Sequence, residues 1–473
     1  MIAAPVSATS SQNVIVMLRS GPTFAGDPLR SATIGYPDAV ASVLGANAAT
    51  RAIKPTYVYR SALSGFAANV TATQAQVLAQ DPRVEAIVPD QATYLADGTV
   101  ENSDTTADSS LGEQPSAEPS AEPSASPGAS PSPTASPSPT PKPTPTPFPT
   151  PGPNFQIVPT GIKRIDRPRL EGEALRGEND TADIDIAIVD TGVSNHPDLN
   201  VVGGVDCTKS KAGYTDKNGH GTHVSGTAAA KDNGFGVVGV APGARIWSVK
   251  VLNKYGTGKV SWLLCGIDWI AAQRAGDKPL IKVANMSLVF SGVSRNADDH
   301  NCGLTVHDAV HQAICNASSL GTIFVVAAGN YNKNASRYRP ASYDEVITVS
   351  ALSDFDGKPG GVGVHSEVCP KGYSADRDDA LAAFSDWGSD IDIMAPGKCI
   401  WSTYLDGRYK AMSGTSMATP HVTGAVALYL IAHPDWTYDQ VKTALLACGT
   451  YDWRLKSDRD SWHEPVLDMA RLC

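Results

Sequence analysis

The chain has no cysteine before residue 207; all eight, Cys207, Cys265, Cys302, Cys315, Cys369, Cys399, Cys448 and Cys473, lie from there onward. None forms a CxxC pair, which speaks against a zinc ribbon or a dithiol redox motif. An even, scattered set reads as disulfides made in an oxidising compartment, with buried free thiols as the alternative. Eight cysteines allow roughly 100 pairings. Pairing in chain order is expected, 207–265, 302–315, 369–399 and 448–473, and the middle two each close one local loop. Long apolar runs are also missing: none reaches the ~18–20 residues of a membrane-spanning helix. Basic residues are too few and too scattered for a nucleic-acid or anionic-membrane surface, with 38 Lys and Arg against 48 Asp and Glu and a formal net charge of −10. The opening residues MIAAPVSATSSQ lack a basic segment followed by an apolar core, so they do not read as a secretory signal. Export is inferred from the cysteines and the architecture, not from a leader.

Composition divides the 473 residues into four parts. Residues 1–12 read as disordered. Within 13–96, NVIVMLRS (13–20), TYVYRS (56–61) and RVEAIVP (83–89) have β-like patterns. DAVASVLGANAA (38–49) and TATQAQVLAQ (71–80) read as helices, the second capped by Thr71 or Thr73. That order suits a small α+β sandwich of the ferredoxin type. Residues 97–153 are low in complexity: 15 of the chain's 34 prolines crowd between Pro115 and Pro153. Such a segment cannot bury a core and is expected to be a disordered, extended spacer, about 120 Å across that stretch at ~3.1 Å per residue. Its Ser and Thr residues are candidate O-glycan sites; docking of a proline-binding module is the alternative. Residues 154–473 alternate short β-rich runs (DIAIVD, ARIWSVKVL, KVANMSLV, TIFVVAAGN, EVITVSAL, DIDIMAPG) with helical patterns. The expected class there is α/β, a mostly parallel sheet doubly wound with helices.

Three segments carry chemistry. DIAIVD ends at Asp190, and folds of this class place their sites at the carboxyl ends of parallel strands. His220 follows 30 residues later in NGHGTHVSGTAA, at the start of a small-residue helix. Ser416, in GTSMATPHVTG, opens another, with Pro420 expected in its first turn, where a missing N–H costs nothing. A helix N-terminus offers free N–H groups and partial positive charge, so a hydroxyl there lies beside donors able to hold an oxyanion. A serine hydroxyl needs a base to become a nucleophile, and the base needs an orienting carboxylate. Singly, each residue has a plainer reading: a strand-end Asp as a cap, a His as a structural hydrogen-bonder, a Ser as an N-cap. Taken together, in this order, the plain readings fail.

DTGV, HGTHVSGT and GTSMATPHVTG resemble the three signature segments of the subtilisin-like serine proteases, in which Asp, His and Ser follow in this order. The resemblance covers roughly 154–450, and SRYRPASYDEVITVSA (336–351) is most similar to the proteinase K branch. It implies a secreted serine endopeptidase with Asp190, His220 and Ser416 as its triad and Asn330, at the end of FVVAAGN, as a donor to the oxyanion. It also implies that Ser287, Leu288 and Val289, with Ala327, Ala328 and Gly329, bind substrate, the NMSL strand by β-addition. His223 and His421 match positions that are structural in the family. HDAVH (307–311) is similar to a zinc-protease helix motif, with Asp308 where glutamate belongs. It falls in a segment that resembles the family's helix before the Asn330 strand, so its histidines are expected to face solvent or pack.

FQIVPTGI (155–162) and KDNGFGVVGVAPG (231–243) resemble the mature N-terminus and calcium loop of bacterial subtilisins. The implied ligands of a structural Ca2+ are the side chains of Gln156, Asp198 and Asn233 and the carbonyls of Lys231, Phe235 and Val237. An Asx turn at Asn233 is the alternative, and a second, weaker site at Asp392 rests on analogy. LSGFAANVTATQAQVLAQDPRVEAIVPD (63–90) resembles the family's inhibitory propeptide, whose tail, near Tyr94–Asp97, is expected in the cleft as a bound product. The chain departs from the family twice. About 57 residues separate propeptide from enzyme, so self-cleavage is expected near Ala96, with Phe155 as the alternative. Val289 and Phe290 stand where the family has two glycines, which predicts a restricted pocket disfavouring bulky aromatic residues. The expected partners are protein or peptide substrates and the chain's own propeptide, the enzyme acting as a monomer. A non-catalytic binding scaffold and a transpeptidase are the rival functions.

Overall fold

The computed structural model of the chain describes residues 11–19, 36–96, 156–165, 181–291, 298–361, 363 and 376–470. The expectations for the spacer, for Phe155 and for Cys369 and Cys473 lie outside these residues.

Residues 11–19 and 36–96 build an antiparallel sheet in which Ser11–Leu18 pairs with both Gly65–Thr71 and Val84–Pro89, and Tyr57–Tyr59 adds an edge. Side chains on a strand alternate between faces. Val14, Val16 and Leu18 therefore pack on Val40, Val43 and Leu78 of the helices Tyr36–Gly45 and Ala72–Ala79. Ile15 and Met17 face the rest of the molecule. The near-continuous apolar run of NVIVML reflects burial on both faces. Thr71 caps its helix in a reciprocal box with Gln74, which fixes the boundary. Strand Gly65–Thr71 has no counterpart among the elements expected from sequence. GFAANVT is poor in β-formers and holds its conformation through pairing with neighbours on both sides.

The larger sheet runs Ala380–Leu381, Val346–Ser353, Ile323–Ala327, Val283–Met286, Asp185–Asp190, Arg245–Lys250, Val201–Asp206, with Ile393–Pro396 also paired to Val346–Ser353. All of these pairs are parallel except the one made by Ala380–Leu381. Ile186 and Ile188 face the helices His220–Ala229 and Thr415–Ala432, whereas Ala187 and Val189 face Val260–Ala272 and Ala309–Ser319. Helices thus cover both faces, the doubly wound α/β arrangement. Thr415–Ala432 is buried from Thr415 to Leu430, and its small residues let it approach closely. A Cβ on Gly424 would stand 2.5 Å from Val240 Cβ.

The small domain sits on the helices Val260–Ala272 and Ala309–Ser319, where Tyr59, Ala62 and Leu63 join one apolar cluster with Leu263, Ile267 and Ile314. Asp268 accepts from the amides of Arg60, Ser61 and Ala62 at 2.9, 2.6 and 2.8 Å. Helix Val260–Ala272 has no side-chain cap from Lys259. Asp90 of the small domain supplies one, accepting from Ser261 N at 2.8 Å and Ser261 Oγ at 2.7 Å.

Candidate active site

Asp190 is the last residue of the central strand and is fully buried. Both its carboxylate oxygens lie 2.9 Å from His220 Nδ1, and Thr191 N donates to Oδ1 at 2.6 Å. His220 opens its helix after Gly219, which has no side chain to cap it. Asp216, also buried, takes that role. It accepts from Asn218 N, Gly219 N and Thr222 N, and from Thr191 Oγ1 at 3.0 Å. One carboxylate thereby fixes the imidazole's helix relative to the strand that carries Asp190. Gly221 has to be bare: a Cβ there would stand 2.2 Å from Gly192 O and 3.1 Å from Asp190 Cβ.

Ser416 is the second residue of the helix Thr415–Ala432, so Pro420 stands in the second turn, not in the first as the sequence suggested. There its missing N–H does matter, because the carbonyl of Ser416 loses its helical partner. Ser287 Oγ donates to that carbonyl at 2.9 Å and is itself held by Asn285 Nδ2 at 2.9 Å. Thr423 Oγ1 completes the chain by donating to Asn285 Oδ1 at 2.9 Å. Ser287 thus anchors the serine's own backbone through its side chain, while its carbonyl faces Ser416 Oγ at 3.4 Å. Asn330 Oδ1 accepts from Thr415 N at 2.8 Å and Thr415 Oγ1 at 3.0 Å, so the amide oxygen is committed to the start of that helix. Gly329 N donates to the same Thr415 hydroxyl at 3.2 Å.

The tail of the small domain lies along the strand that follows Ser287. Ala92–Leu95 is an inner strand between Thr257–Lys259 and Leu288–Ser291, antiparallel to both. Tyr94 is opposite Thr257 on one side and Val289 on the other. Ala96 N points to Ser287 O at 3.5 Å, the carbonyl that Ser416 Oγ also meets. Ala96 is buried with Val289, Ala327 and Tyr331, and Ala328 is buried nearby in the chain with Ala335 and Ile391. Leu288 and Phe290 point to the opposite face of their strand, into the core with Leu95. Of the two residues expected to reshape the pocket, Val289 therefore packs on Ala96 and Phe290 does not; the guanidinium of Arg339 lies 5.5 Å over the Phe290 ring.

The segments that carry the six residues named for calcium lie together, with an Asx turn at Asn233 among them. Gln156–Ile157 pairs in parallel with Gly236–Val237. Gln156 Nε2 meets Lys231 O at 2.8 Å and Val237 O at 3.2 Å. Asp198 accepts from Val237 N at 2.9 Å and Asn233 Nδ2 at 3.2 Å, and Phe235 N donates to Asn233 Oδ1 at 3.0 Å. Burial pushes the Asp198 carboxyl up to about 6. Asp392, by contrast, is already matched by a cation: Lys442 Nζ stands 2.8 Å away and Thr348 N donates at 2.9 Å. An ammonium occupies the place suggested for a weaker ion.

The sequence profile of the Subtilase family matches residues 181–451, more than half of the chain. This chain belongs to the subtilase family. It is a subtilisin-like serine endopeptidase, and residues 29–96 match the Peptidase inhibitor I9 family, so the small domain is its inhibitor-type propeptide. Subtilisin E of Bacillus subtilis (strain 168) is 38% identical over 301 residues, 63% of this chain and 67% of its own. The subtilisin of Bacillus pumilus is 38% identical over 301 residues, 63% and 93% of the two chains. Subtilisin Savinase of Lederbergia lenta is 36% identical over 295 residues, 62% and 92%. A solved cold adapted subtilisin-like serine proteinase aligns at 31% identity with a TM-score of 0.49, covering 66% of this chain and 97% of its own.

Other features of this subtilase are set by packing. His223 and His421 are fully buried, and burial pushes their imidazoles down to about 3 and about 4. His307 precedes the N-cap Asp308 of helix Ala309–Ser319, so HDAVH does not present two histidines on one helix. His307 is half exposed, whereas His311 is buried, stacked on Tyr343 and bonded through Nε2 to Glu345 at 2.6 Å. Cys207–Cys265 and Cys302–Cys315 are bridged in chain order, and Cys399 and Cys448 are disulfide-bonded too. No described helix is long and apolar enough to cross a membrane.

Proposed function

We propose that this subtilase is the self-inhibited precursor of a secreted, calcium-stabilised endopeptidase whose nucleophile is Ser416. What supports the reading is the buried Asp190–His220 pair at 2.9 Å, the packing of the helix that carries His220 against the helix that carries Ser416, and a Ser416 hydroxyl that shares a carbonyl with the end of the tail strand. His220 Nε2 takes the hydroxyl proton as Ser416 Oγ bonds to the scissile carbonyl carbon. The proton passes to the leaving amine as the C–N bond breaks, and water repeats the sequence on the acyl-ester. Asp190 holds the Nδ1–H and stabilises the imidazolium. Asn330 Nδ2 and the Ser416 N–H donate to the oxyanion. Substrate adds as a strand along Ser287–Val289, in the place of Ala92–Leu95, with Ala327–Gly329 on the pocket side. In the precursor the bond cut first is Ala96–Asp97.

One carboxylate, two amide side chains and three carbonyls suit a hard cation such as Ca2+. Rotating the Gln156 amide by half a turn replaces its Nε2 with Oε1 beside Lys231 O and Val237 O, and the buried Asp198 gains a counter-charge. Disulfides support secretion. The deciding experiment is fluorophosphonate labelling followed by peptide mapping. Adduct on Ser416 in parent, and none in Ser416→Ala, supports the reading; an unlabelled parent with a free cleft sinks it. Product masses with and without added amine separate hydrolysis from transpeptidation.

A further inference from the structure

Strand Val346–Ser353 leads into Asp354, and the chain returns through Asp378 to strand Ala380–Leu381. Asp354 and Asp378 are 2% and 3% exposed. Each of three aspartates spends part of its carboxylate on the loop backbone. Asp354 Oδ1 accepts from Gly357 N at 2.9 Å and Asp356 N at 3.3 Å. Asp378 accepts from Phe355 N and Gly363 N, both at 2.7 Å, and Asp356 Oδ1 from Lys358 N at 3.0 Å. Asp354 Oδ2, buried, has no hydrogen-bond partner among the described residues. One oxygen from each of the three lies within 4.8 Å of the others, the span of two ligands on opposite sides of one ion at about 2.4 Å.

Charge is unmatched here. Among the described residues no lysine, arginine or histidine forms an ion pair with Asp354, Asp356 or Asp378. Arg164, whose field reaches Asp354, is bonded to Asp379 at 3.1 Å and Asp452 at 2.6 Å; Lys398 is bonded to Asp376. A buried carboxylate with a bare oxygen and a like-charged neighbour is unfavourable unless a cation joins it. Burial, with the Asp378 charge adding, pushes Asp354 up to about 7.

We propose that Asp354, Asp356 and Asp378 form a calcium site of their own, apart from the ligands around Asp198. Donors that are all oxygen, with no imidazole or thiolate, select a hard ion, and water completes the 6–8 oxygens that calcium takes. The ion clamps the outgoing and returning ends of one loop and is remote in sequence from the triad. Affinity in the range of about 10⁻⁴–10⁻³ M suits an extracellular structural site.

The test uses the full chain carrying Ser416→Ala, which prevents self-cleavage, stripped with chelator and equilibrated with radioactive Ca2+ by dialysis. Asp354→Asn and Asp378→Asn are each expected to lower the stoichiometry by one ion, with or without Asp198→Asn. Near-ultraviolet circular dichroism confirms folding, and Asp356→Asn, at the most exposed of the three positions, serves where a buried variant fails to fold, with an expected loss of affinity of about tenfold or more. In chelator, Asp354→Asn is expected to raise Tm, since a neutral amide replaces an uncompensated charge. In the Asp198→Asn background it abolishes whatever rise in Tm calcium still gives. Unchanged stoichiometry in both buried variants, or a calcium-induced Tm rise identical in Asp198→Asn with and without Asp354→Asn, overturns the proposal.

Discussion

Ser287 and Pro420 form a pair that only the folded chain reveals. The proline strips Ser416's carbonyl of its helical donor, and a hydroxyl 129 residues earlier in the chain replaces it. Ser287→Ala is expected to cost about 1–3 kcal/mol, the penalty of leaving a buried acceptor unpaired, read as a fall in the denaturant midpoint of the Ser416→Ala chain. Asn330→Ala removes an oxyanion donor and should lower kcat about 10²–10³-fold, the loss known for such a donor in subtilisin, with KM little changed in steady-state assays. Val289 packs against Ala96, so the parent should prefer small residues before the cut. Val289→Gly should shift kcat/KM toward Phe over Ala by about tenfold or more, the worth of a few methylenes in a pocket. A parent that already prefers Phe or Tyr contradicts this. The segments that carry the proposed Asp190, His220, Ser416 and Asn330 were legible in the sequence because their motifs are local. Asp216, Asn285 and Ser287's anchoring hydroxyl were not, since their roles arise from contacts between distant segments.

Elements were legible where periodicity was strong. The six β-rich runs of the larger domain each contain or overlap a strand of its sheet, whereas Gly65–Thr71 went unread because pairing, not propensity, makes it a strand. Pro420 was misplaced by one turn although the helix start was read to within one residue, because even counted from Ser416 it is the fifth helical position and so beyond the first turn. Two elements carry tests. Stripping calcium should lower Tm, and Asp198→Asn should remove most of that loss; an unchanged Tm on chelation would contradict the ligand set around Gln156. The second concerns the buried histidine of helix Thr415–Ala432. His421 has a folded value of about 4 against 6.5 unfolded. Below pH 6.5 the unfolded chain takes up the proton first, so its stabilising contribution is present above 6.5 and is lost as pH falls toward 4, by about 1.4 kcal/mol per unit. Asp386 and Glu464, pushed up to about 7 by burial, act in the opposite sense, so the parent's net slope mixes both. The difference isolates the histidine: His421→Gln should gain stability relative to parent between pH 6.5 and 4, as measured by urea unfolding.

At the scale of the whole molecule, the tail strand, the apolar face around Tyr59, the carboxylates Asp90 and Asp268, and outlying polar contacts such as Gln312 Nε2 to Glu85 and Lys209 Nζ to the Thr56 carbonyl all join the propeptide to the enzyme. The tail's position was readable from the family resemblance; Asp268 was not, because its partners are backbone amides that no motif marks. Ser416→Ala should keep the chain at full length, whereas the parent should yield a fragment beginning at Asp97, as N-terminal sequencing will show. An active enzyme beginning at 154–156, with no longer form seen, would contradict cleavage after Ala96. Asp268 holds three consecutive N–H groups, groups that every residue but proline possesses. The identities of Arg60, Ser61 and Ala62 can therefore drift through evolution without loosening that grip. Foreign propeptides with the same turn should cross-dock on this protease, and discrimination among them would fall to the side chains from Ala92 to Ala96.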